Sequence, residues 1–209
     1  MLEFLLGFIP GLIWLGYFLK KDAHPEPKKI ILKTFILGGL AAFPAILLEA
    51  GLTQIIPFSS WLYFFVVIAP VEEILKYSAA RFAALKSRFC DEKIDIMVYL
   101  ITAGLGFATI ENILLILKSS DSALDIIVIR FLSATLLHAL LGSLLGYFIA
   151  KKKPLIEGLG IAILAHGSYN YFANSESQNG FIGMSLILLG LFISAAWQFK
   201  KVKKLKIRN

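Results

Sequence analysis

The sequence predicts an all-α, polytopic membrane protein, a transmembrane bundle of about seven helices. Hydrophobic residues make up 58% of the 209-residue chain and charged residues only 17%, whereas soluble domains are about 45–50% apolar. Apolar runs of about 18 to 25 residues recur along the chain, which is the length that a helix needs to cross a hydrocarbon core of about 30 Å. Most of the basic residues lie between these runs.

The apolar runs define the predicted spans in chain order. They cover residues 2–19, 30–52, 58–80, 94–117, 125–150, 155–173 and 181–199. The first two are separated by HPEP at 24–27, whose prolines stop the helices on both sides. The last two are separated by the polar loop NSESQNG at 174–180. Because the other connectors are also short, we expect residues 1–209 to form a single transmembrane domain.

The basic residues predict the orientation of the chain in the membrane. They concentrate in alternate connectors and in the C-terminal tail, at Lys20, Lys21, Lys28, Lys29, Lys33, Arg81, Lys86, Arg88, Lys93, Lys151 to Lys153 and 200–208. The opposite set of connectors contains only Lys118. The positive-inside rule therefore predicts an outside N-terminus and a cytoplasmic C-terminus. We expect the basic tail to contact anionic lipid headgroups of the bilayer and not nucleic acid.

Ionisable and amide side chains lie inside four of the predicted spans. A charged side chain at the bilayer centre costs about 2.5 to 3.5 kcal/mol, so such residues usually face a protein interior or a wet cavity. The residues concerned are Glu72, Glu73 and Lys76 in the third span, Glu111 and Asn112 in the fourth, Arg130 and His138 in the fifth, and His166 and Asn170 in the sixth. The first, second and seventh spans carry none near their middles, so we predict a functional core at residues 58–173.

The third span contains the charged motif EEILK. Lys76 follows Glu72 by four residues and Glu73 by three, which puts it one helical turn from both carboxylates. We expect the lysine to neutralise one carboxylate and leave the other free to act. A charge pair that only holds helices together is the alternative. Pro70 removes a backbone hydrogen bond just upstream and predicts a kink.

The next three spans supply the remaining polar groups. In GLGFATIEN, Gly104 and Gly106 allow close helix approach, and Glu111 needs a partner from another span. His138 and His166 lie near the middles of their spans. Asn170 follows His166 by one turn, and Arg130 either extends its charge to the interface or pairs with an acid. Each histidine alone could be an ordinary core residue, but the whole set predicts a functional site.

Glutamate combined with histidine is typical of sites that activate water. A carboxylate takes the proton, while imidazole and amide donors stabilise the oxyanion of a hydrated carbonyl, which predicts a hydrolase. Several known classes of intramembrane protease need features that the sequence lacks. There is no H-E-x-x-H and no G-x-S-G motif, and all five aspartates lie in connectors or at span ends.

Four segments resemble the PrsW family of glutamic intramembrane proteases, within the wider superfamily of CAAX prenyl endopeptidases and bacteriocin-immunity-type membrane proteases. They are EEILK at 72–76, GFATIEN at 106–112, the His138 segment with Gly142 and Gly146, and HGSYN at 166–170. The first connector, with Trp14, Asp22 and PEP at 25–27, is similar to the N-terminal region of the same family.

This resemblance implies a catalytic assignment. Glu72 would be the water-activating base and Glu73 would support it. Glu111 would occupy the place of a histidine in the F-x-x-x-H motif of CAAX endopeptidases, and His166 with Asn170 would match their H-x-x-x-N oxyanion donors. The resemblance also implies a multi-pass protein of the bacterial cell membrane that cleaves single-span membrane proteins, notably anti-sigma factors.

Three other functions are compatible with these residues. A zinc-dependent protease could use Glu111, His138 and His166 as ligands, although our main expectation includes no cofactor. Membrane-buried Glu, Lys and His also form the relays of proton-coupled transporters, but no inverted repeat is visible. A receptor or immunity protein would use no catalysis at all. The sequence leaves the oligomeric state open.

Overall fold

The computed structural model describes residues 2–56, 61–119, 122–175 and 177–204, with side chains from Phe4 onward. Within these ranges the secondary structure is helical, with no β-strand. The helices are α1 (Leu2–Leu6), α2 (Ile9–Leu19), α3 (Lys28–Leu40), α4 (Ala42–Leu52), α5 (Trp61–Tyr63), α6 (Ala69–Ala80), α7 (Lys93–Lys118), α8 (Ala123–Leu132), α9 (Ala134–Ala150), α10 (Leu155–Ala173) and α11 (Gln178–Val202). Two π-helical turns, Phe64–Ile68 and Arg81–Leu85, flank α6. The predicted all-α class is confirmed for the described residues.

Helix α7 is the centre of the bundle. Helices α2, α3, α6 and α9 pack around it. Large side chains along its length, including Tyr99, Leu105 and Phe107, are at most 2% exposed. A helix that is apolar on all sides belongs in the interior of a bundle, and α7 therefore provides the scaffold against which the neighbouring helices are placed.

Two glycines of α7 allow different helices to approach. A Cβ atom at Gly104 would lie 2.7 Å from the carbonyl oxygen of His138 on α9. Gly106 instead faces the backbone of Phe35 on α3. Small residues let backbones come this close in membrane proteins. The predicted role of both glycines is confirmed. The close contact between α7 and α9 fixes the position of His138 along the axis of α7.

The outer surface of the bundle is apolar. Leu47, Phe82 and Ile156 are 74%, 77% and 74% exposed, and they belong to a much larger set of exposed aliphatic and aromatic side chains. Patches of this extent are unusual on soluble proteins. Four helical segments are long and apolar enough to cross a membrane, namely Lys28–Leu52, Lys93–Lys118, Ala123–Ala150 and Gln178–Val202. The surface matches a protein solvated by lipid.

The other three predicted spans are helical but shorter or more polar. Phe4–Leu19, which spans most of α1 and all of α2, is a shorter apolar helical segment. Helix α6 carries three charged residues, and α10 contains Glu157, His166 and Asn170. The count of seven spans and the orientation of the termini therefore remain predictions. Phe58 at the start of the third span, Asp121 and the tail beyond Lys204 lie outside the described residues.

Prolines account for the interruptions within three predicted spans. Pro10 lies in the first turn of α2, and α1 ends at Leu6. Pro44 lies in the first turn of α4, just after α3 ends. Pro70 is the second residue of α6, which directly follows a π-helical turn. A proline has no N–H to donate to the carbonyl four residues before it, so the regular hydrogen-bond ladder is broken at each position.

Candidate active site

Helix α6 delivers three charged side chains to the interior. Glu72, Glu73 and Lys76 are 5%, 3% and 4% exposed. Lys76 Nζ lies 2.5 Å from Glu73 Oε1 and 3.3 Å from Glu72 Oε2. The predicted pairing of Lys76 with this motif is confirmed, and the lysine is closer to Glu73. Two buried carboxylates thus share one ammonium, which leaves the group with an excess of negative charge.

His138 of α9 is held by a carboxylate from α7. Its Nε2 atom lies 2.8 Å from Glu111 Oε2, to which Arg130 Nη2 also donates at 3.2 Å. Arg130 Nε donates to Asn112, and the Asn112 amide donates to Thr135 at 3.1 Å. Glu111 therefore has partners from two other helices, as the sequence predicted, and it is the acid with which Arg130 pairs.

His166 of α10 is held in the same way by a carboxylate from α6. Its Nδ1 atom lies 2.8 Å from Glu73 Oε1. Its ring meets the His138 ring edge to face, with centroids 5.3 Å apart and planes at 88°. Both histidines are at most 3% exposed. The two imidazoles are therefore adjacent and rigidly oriented.

The inner nitrogens of the two histidines face Glu72. Glu72 Oε2 lies 4.0 Å from His138 Nδ1 and 3.8 Å from His166 Nε2. These three atoms lie within 4.8 Å of one another, a spacing that could hold a metal ion. An ionised carboxylate only accepts hydrogen bonds, so Glu111 and Glu73 each receive the outer N–H of one histidine. The lone pairs of both imidazoles consequently point inward.

This donor set differs from the predicted zinc ligands in one residue. Glu72 takes the ligand position that the sequence reasoning gave to Glu111, and Glu111 lies behind His138. Two imidazoles and a carboxylate match the ligand preference of zinc. Histidine ligands of metals almost always donate their second N–H to a carboxylate, carbonyl or water, and both histidines do so here. The residues present fit a bound metal ion.

Lys76 also enters the centre of the site. Its Nζ atom donates to His138 Nδ1 at 2.8 Å, and the same ammonium lies 5.0 Å from the centroid of the Phe107 ring. A cation among buried carboxylates offsets their mutual repulsion. Because the inward lone pair of His138 can bind only one cation, Lys76 and a metal ion would compete for it.

The site is buried on the α6 and α10 sides and more open near α8. The side chains of Glu111 and Arg130 are 29% and 18% exposed, against 6% for Glu72. A cavity of about 10 Å³ lies between Glu73, Lys76 and His138, which is room for about one water molecule. Glu111 and Arg130 therefore mark the side from which solvent comes nearest to the buried groups.

Asn170 and Glu49 lie at the edge of this cluster. Asn170 is half-buried one turn after His166, and its side chain forms no hydrogen bond with the described residues. Glu49 of α4 interacts electrostatically with Glu111 and Lys76, and its Oε1 atom is buried without a hydrogen-bond partner. Sequence reasoning missed Glu49 because it lies near the end of its span. The signal that could have identified Glu49 is the presence of an acidic residue inside an apolar run.

Comparison with known proteins assigns the family. Residues 26–197 match the family described as "PrsW family intramembrane metalloprotease". The chain belongs to the PrsW family. Protease PrsW of Oceanobacillus iheyensis is 30% identical over 97% of both chains. Protease PrsW of Bacillus subtilis is 30% identical over 82% of this chain and 83% of its own, and that of Clostridioides difficile is 30% identical over 99% and 91%. No solved structure matches the chain significantly.

Membership of the PrsW family makes this chain an intramembrane protease and a multi-pass bacterial membrane protein. The apolar surface and the four segments that are long and apolar enough to cross a membrane agree with that placement. The matched region includes all the residues of the buried site, from Glu49 on α4 to Asn170 on α10.

Proposed function

We propose that the protein is a metal-dependent intramembrane endopeptidase whose metal ion is held by Glu72, His138 and His166. One observation carries the proposal. The inner nitrogens of both histidines and a Glu72 oxygen converge within 4.8 Å, while the outer nitrogens bond Glu111 and Glu73 at 2.8 Å each. A purely structural charge network has no need for two imidazole lone pairs that face one carboxylate.

The bound ion would lower the pKa of a water molecule and polarise the carbonyl of the scissile peptide bond. The residues of the chain prepare the site for this chemistry. Glu111 and Glu73 hold the imidazoles in the required tautomers and orientations. Lys76 offsets part of the carboxylate charge, and its contact with Glu73 would still hold it if a metal ion took the His138 lone pair.

Asn170 is the proposed donor to the oxyanion. Its amide lies one turn from His166 and is not used by other described side chains, so it is free to donate to the carbonyl oxygen of a bound substrate. In oxyanion holes of other hydrolases, one donor aimed at the developing charge lowers the activation free energy by about 2.7 to 4 kcal/mol. We also propose that Glu49 can take up a proton at the site, because its buried Oε1 atom has no hydrogen-bond partner among the described residues and its carboxyl group interacts electrostatically with Glu111 and Lys76.

A reconstituted cleavage assay with a panel of single-span membrane proteins tests the proposal. Replacing Glu72 with Gln keeps the shape of the side chain but removes its charge, so cleavage is expected to stop. Glu157→Gln, an exposed acid at the start of α10, serves as the matched control and should cleave normally. Full activity of the Glu72→Gln protein would refute the assignment.

A second candidate mechanism uses Glu72 as a base that activates water without a metal ion. The contact between Lys76 Nζ and His138 Nδ1 at 2.8 Å favours it, because the lysine already supplies a positive charge at the ligand position. The metal content of active, purified protein separates the two mechanisms. One ion per chain that is lost in His138→Ala supports the metal site, and activity in metal-free protein supports the glutamate-only mechanism.

The resemblance and the membrane setting support a proposal for the substrate class. We propose single-span membrane proteins, with anti-sigma factors of bacterial envelope-stress responses as the first to be tried. The more exposed side of the site near Glu111 and Arg130 is where an extended substrate segment would approach. The whole chain, 1–209, would act as one transmembrane protease domain with its catalytic core at 58–173.

A further inference from the structure

A second group of carboxylates lies at the end of the bundle where α2 ends and α7 begins. Oxygen atoms of Asp22, Glu26 and Asp95 lie within 4.8 Å of one another. Asp22 and Glu26 belong to the connector between α2 and α3, and Asp95 lies in the first turn of α7. Asp95 precedes Glu111 by 16 residues on α7, which is about 24 Å along the helix. The group is therefore separate from the active site.

Two of these carboxylates each have a buried oxygen without a partner. Asp22 is 8% exposed and Asp95 is 0% exposed. Asp22 Oδ1 accepts the backbone N–H of His24 at 3.0 Å, and Asp95 Oδ2 accepts that of Glu92 at 2.5 Å. The second oxygens, Asp22 Oδ2 and Asp95 Oδ1, form no hydrogen bond. An unpaired buried carboxylate oxygen is costly, so these atoms call for a ligand.

No described lysine or arginine lies within ion-pair distance of the three carboxylates. Tyr99 is fully buried, and its hydroxyl contacts Glu26 and lies 3.0 Å from the carbonyl oxygen of Phe89. Asp91 adds further negative charge near Glu26. Lys203 is near enough to act on Asp22 through space but forms no ion pair with it. The described residues therefore supply no cation that pairs directly with this group of acids.

We propose that Asp22, Glu26 and Asp95 bind one hard divalent cation, Ca²⁺ or Mg²⁺. Such ions prefer carboxylate, carbonyl and water oxygens, and no soft ligand is part of the group. The cation would join the α2–α3 connector to the first turn of α7. It would thereby anchor the helix that carries Glu111 without taking part in peptide hydrolysis.

Terbium luminescence provides a direct test on the full-length protein in detergent. Tb³⁺ replaces Ca²⁺ at carboxylate sites, and the buried Tyr99 phenol beside Glu26 can transfer excitation to it. We expect saturable emission that Ca²⁺ or Mg²⁺ displaces. Asp22→Asn and Asp95→Asn should each weaken Tb³⁺ binding about tenfold or more, since affinity follows the number of ligand charges. Glu157→Gln should bind normally.

Thermal unfolding gives a second readout. Asp95→Asn supplies an amide donor in place of a carboxylate, so its Tm without divalent ions should exceed that of the wild type and should not rise when they are added. Glu72→Gln should retain Tb³⁺ emission, which separates this site from the proposed protease site. If Asp95→Asn does not fold, Tb³⁺ binding by Glu26→Gln, a substitution in the α2–α3 connector, tests the proposal instead. Absence of saturable emission, or equal emission from Glu26→Gln and wild type, overturns the proposal.

Discussion

At the scale of single residues, Glu111 and Glu73 determine which nitrogen of each histidine faces the site. Each carboxylate accepts one imidazole N–H at 2.8 Å, and this fixes both the tautomer and the ring orientation. Arg130 in turn holds Glu111 at 3.2 Å. The chemistry of the two histidines therefore depends on groups that need not touch the substrate.

Glu111→Gln tests this dependence. A glutamine still accepts the N–H of His138 but loses the charge that attracts Arg130 and strengthens the imidazole as a ligand. We expect the rate of cleavage to fall about 10- to 100-fold, in line with other positioning carboxylates, with the helical content unchanged. The kcat and the metal affinity of this variant are each measured and compared with the wild-type values. A value within twofold for both would show that Glu111 has no positioning role.

Cys90 should be an unreactive thiol. Burial, together with the nearby Asp95, Glu26 and Asp91 carboxylates, raises the pKa of Cys90 to about 12. Because the pKa is raised, the reactive thiolate forms only at strongly alkaline pH. We expect maleimide to label the folded protein slowly near neutral pH, as followed by mass spectrometry, and the detergent-denatured protein rapidly. Fast labelling of the folded protein would contradict this environment.

At the scale of helices, the sequence predicted where helices lie better than it predicted where they break. The apolar runs marked the helical segments correctly, and Pro70 predicted an irregular turn that is observed. The breaks at Ala41 and Ser133 were not predicted. Pro44 accounts for the first, and at the second the Ser133 hydroxyl bonds the Ile129 carbonyl at 2.7 Å, a contact that bends helices.

Gly104→Ala tests the close contact between α7 and α9. A Cβ atom at Gly104 would lie 2.7 Å from the backbone oxygen of His138, so the two helices would have to separate. We expect a loss of about 1 to 3 kcal/mol in the free energy of unfolding and a lower cleavage rate, because His138 shifts relative to Glu111. Gly160→Ala on α10, where nothing lies within 4 Å, is the matched control and should be neutral or slightly stabilising.

At the scale of the whole molecule, the convergence of four helices on one site was predictable only in part. Burial cost identified Glu72, Glu73, Glu111, His138 and His166, and the structure brings all five together. Their individual roles depend on which side-chain atom faces which partner. Sequence spacing does not determine that. The zinc alternative therefore named Glu111 as a ligand, whereas it is Glu72 that lies with the two histidines, and Glu49 was overlooked.

The orientation in the membrane is a prediction for the whole chain. Basic residues concentrate in alternate connectors, so the C-terminus should be cytoplasmic and residues 53–57 outside. A reporter that is active only in the cytoplasm should work when fused after Asn209. A cysteine introduced at Thr53, in a variant with Cys90 replaced by Ser, should react with impermeant maleimide added to intact cells. The reverse pattern would invert the topology.

X-ray absorption at the zinc edge of zinc-loaded, active protein tests the central claim most directly. We expect one zinc ion per chain with nitrogen and oxygen ligands at about 2.0 to 2.2 Å, including the scattering pattern of two imidazoles. His138→Ala should no longer retain this ion, so its zinc-edge signal should be lost. A spectrum without imidazole ligands, or one unchanged by both His138→Ala and His166→Ala, would contradict a metal site built from Glu72, His138 and His166.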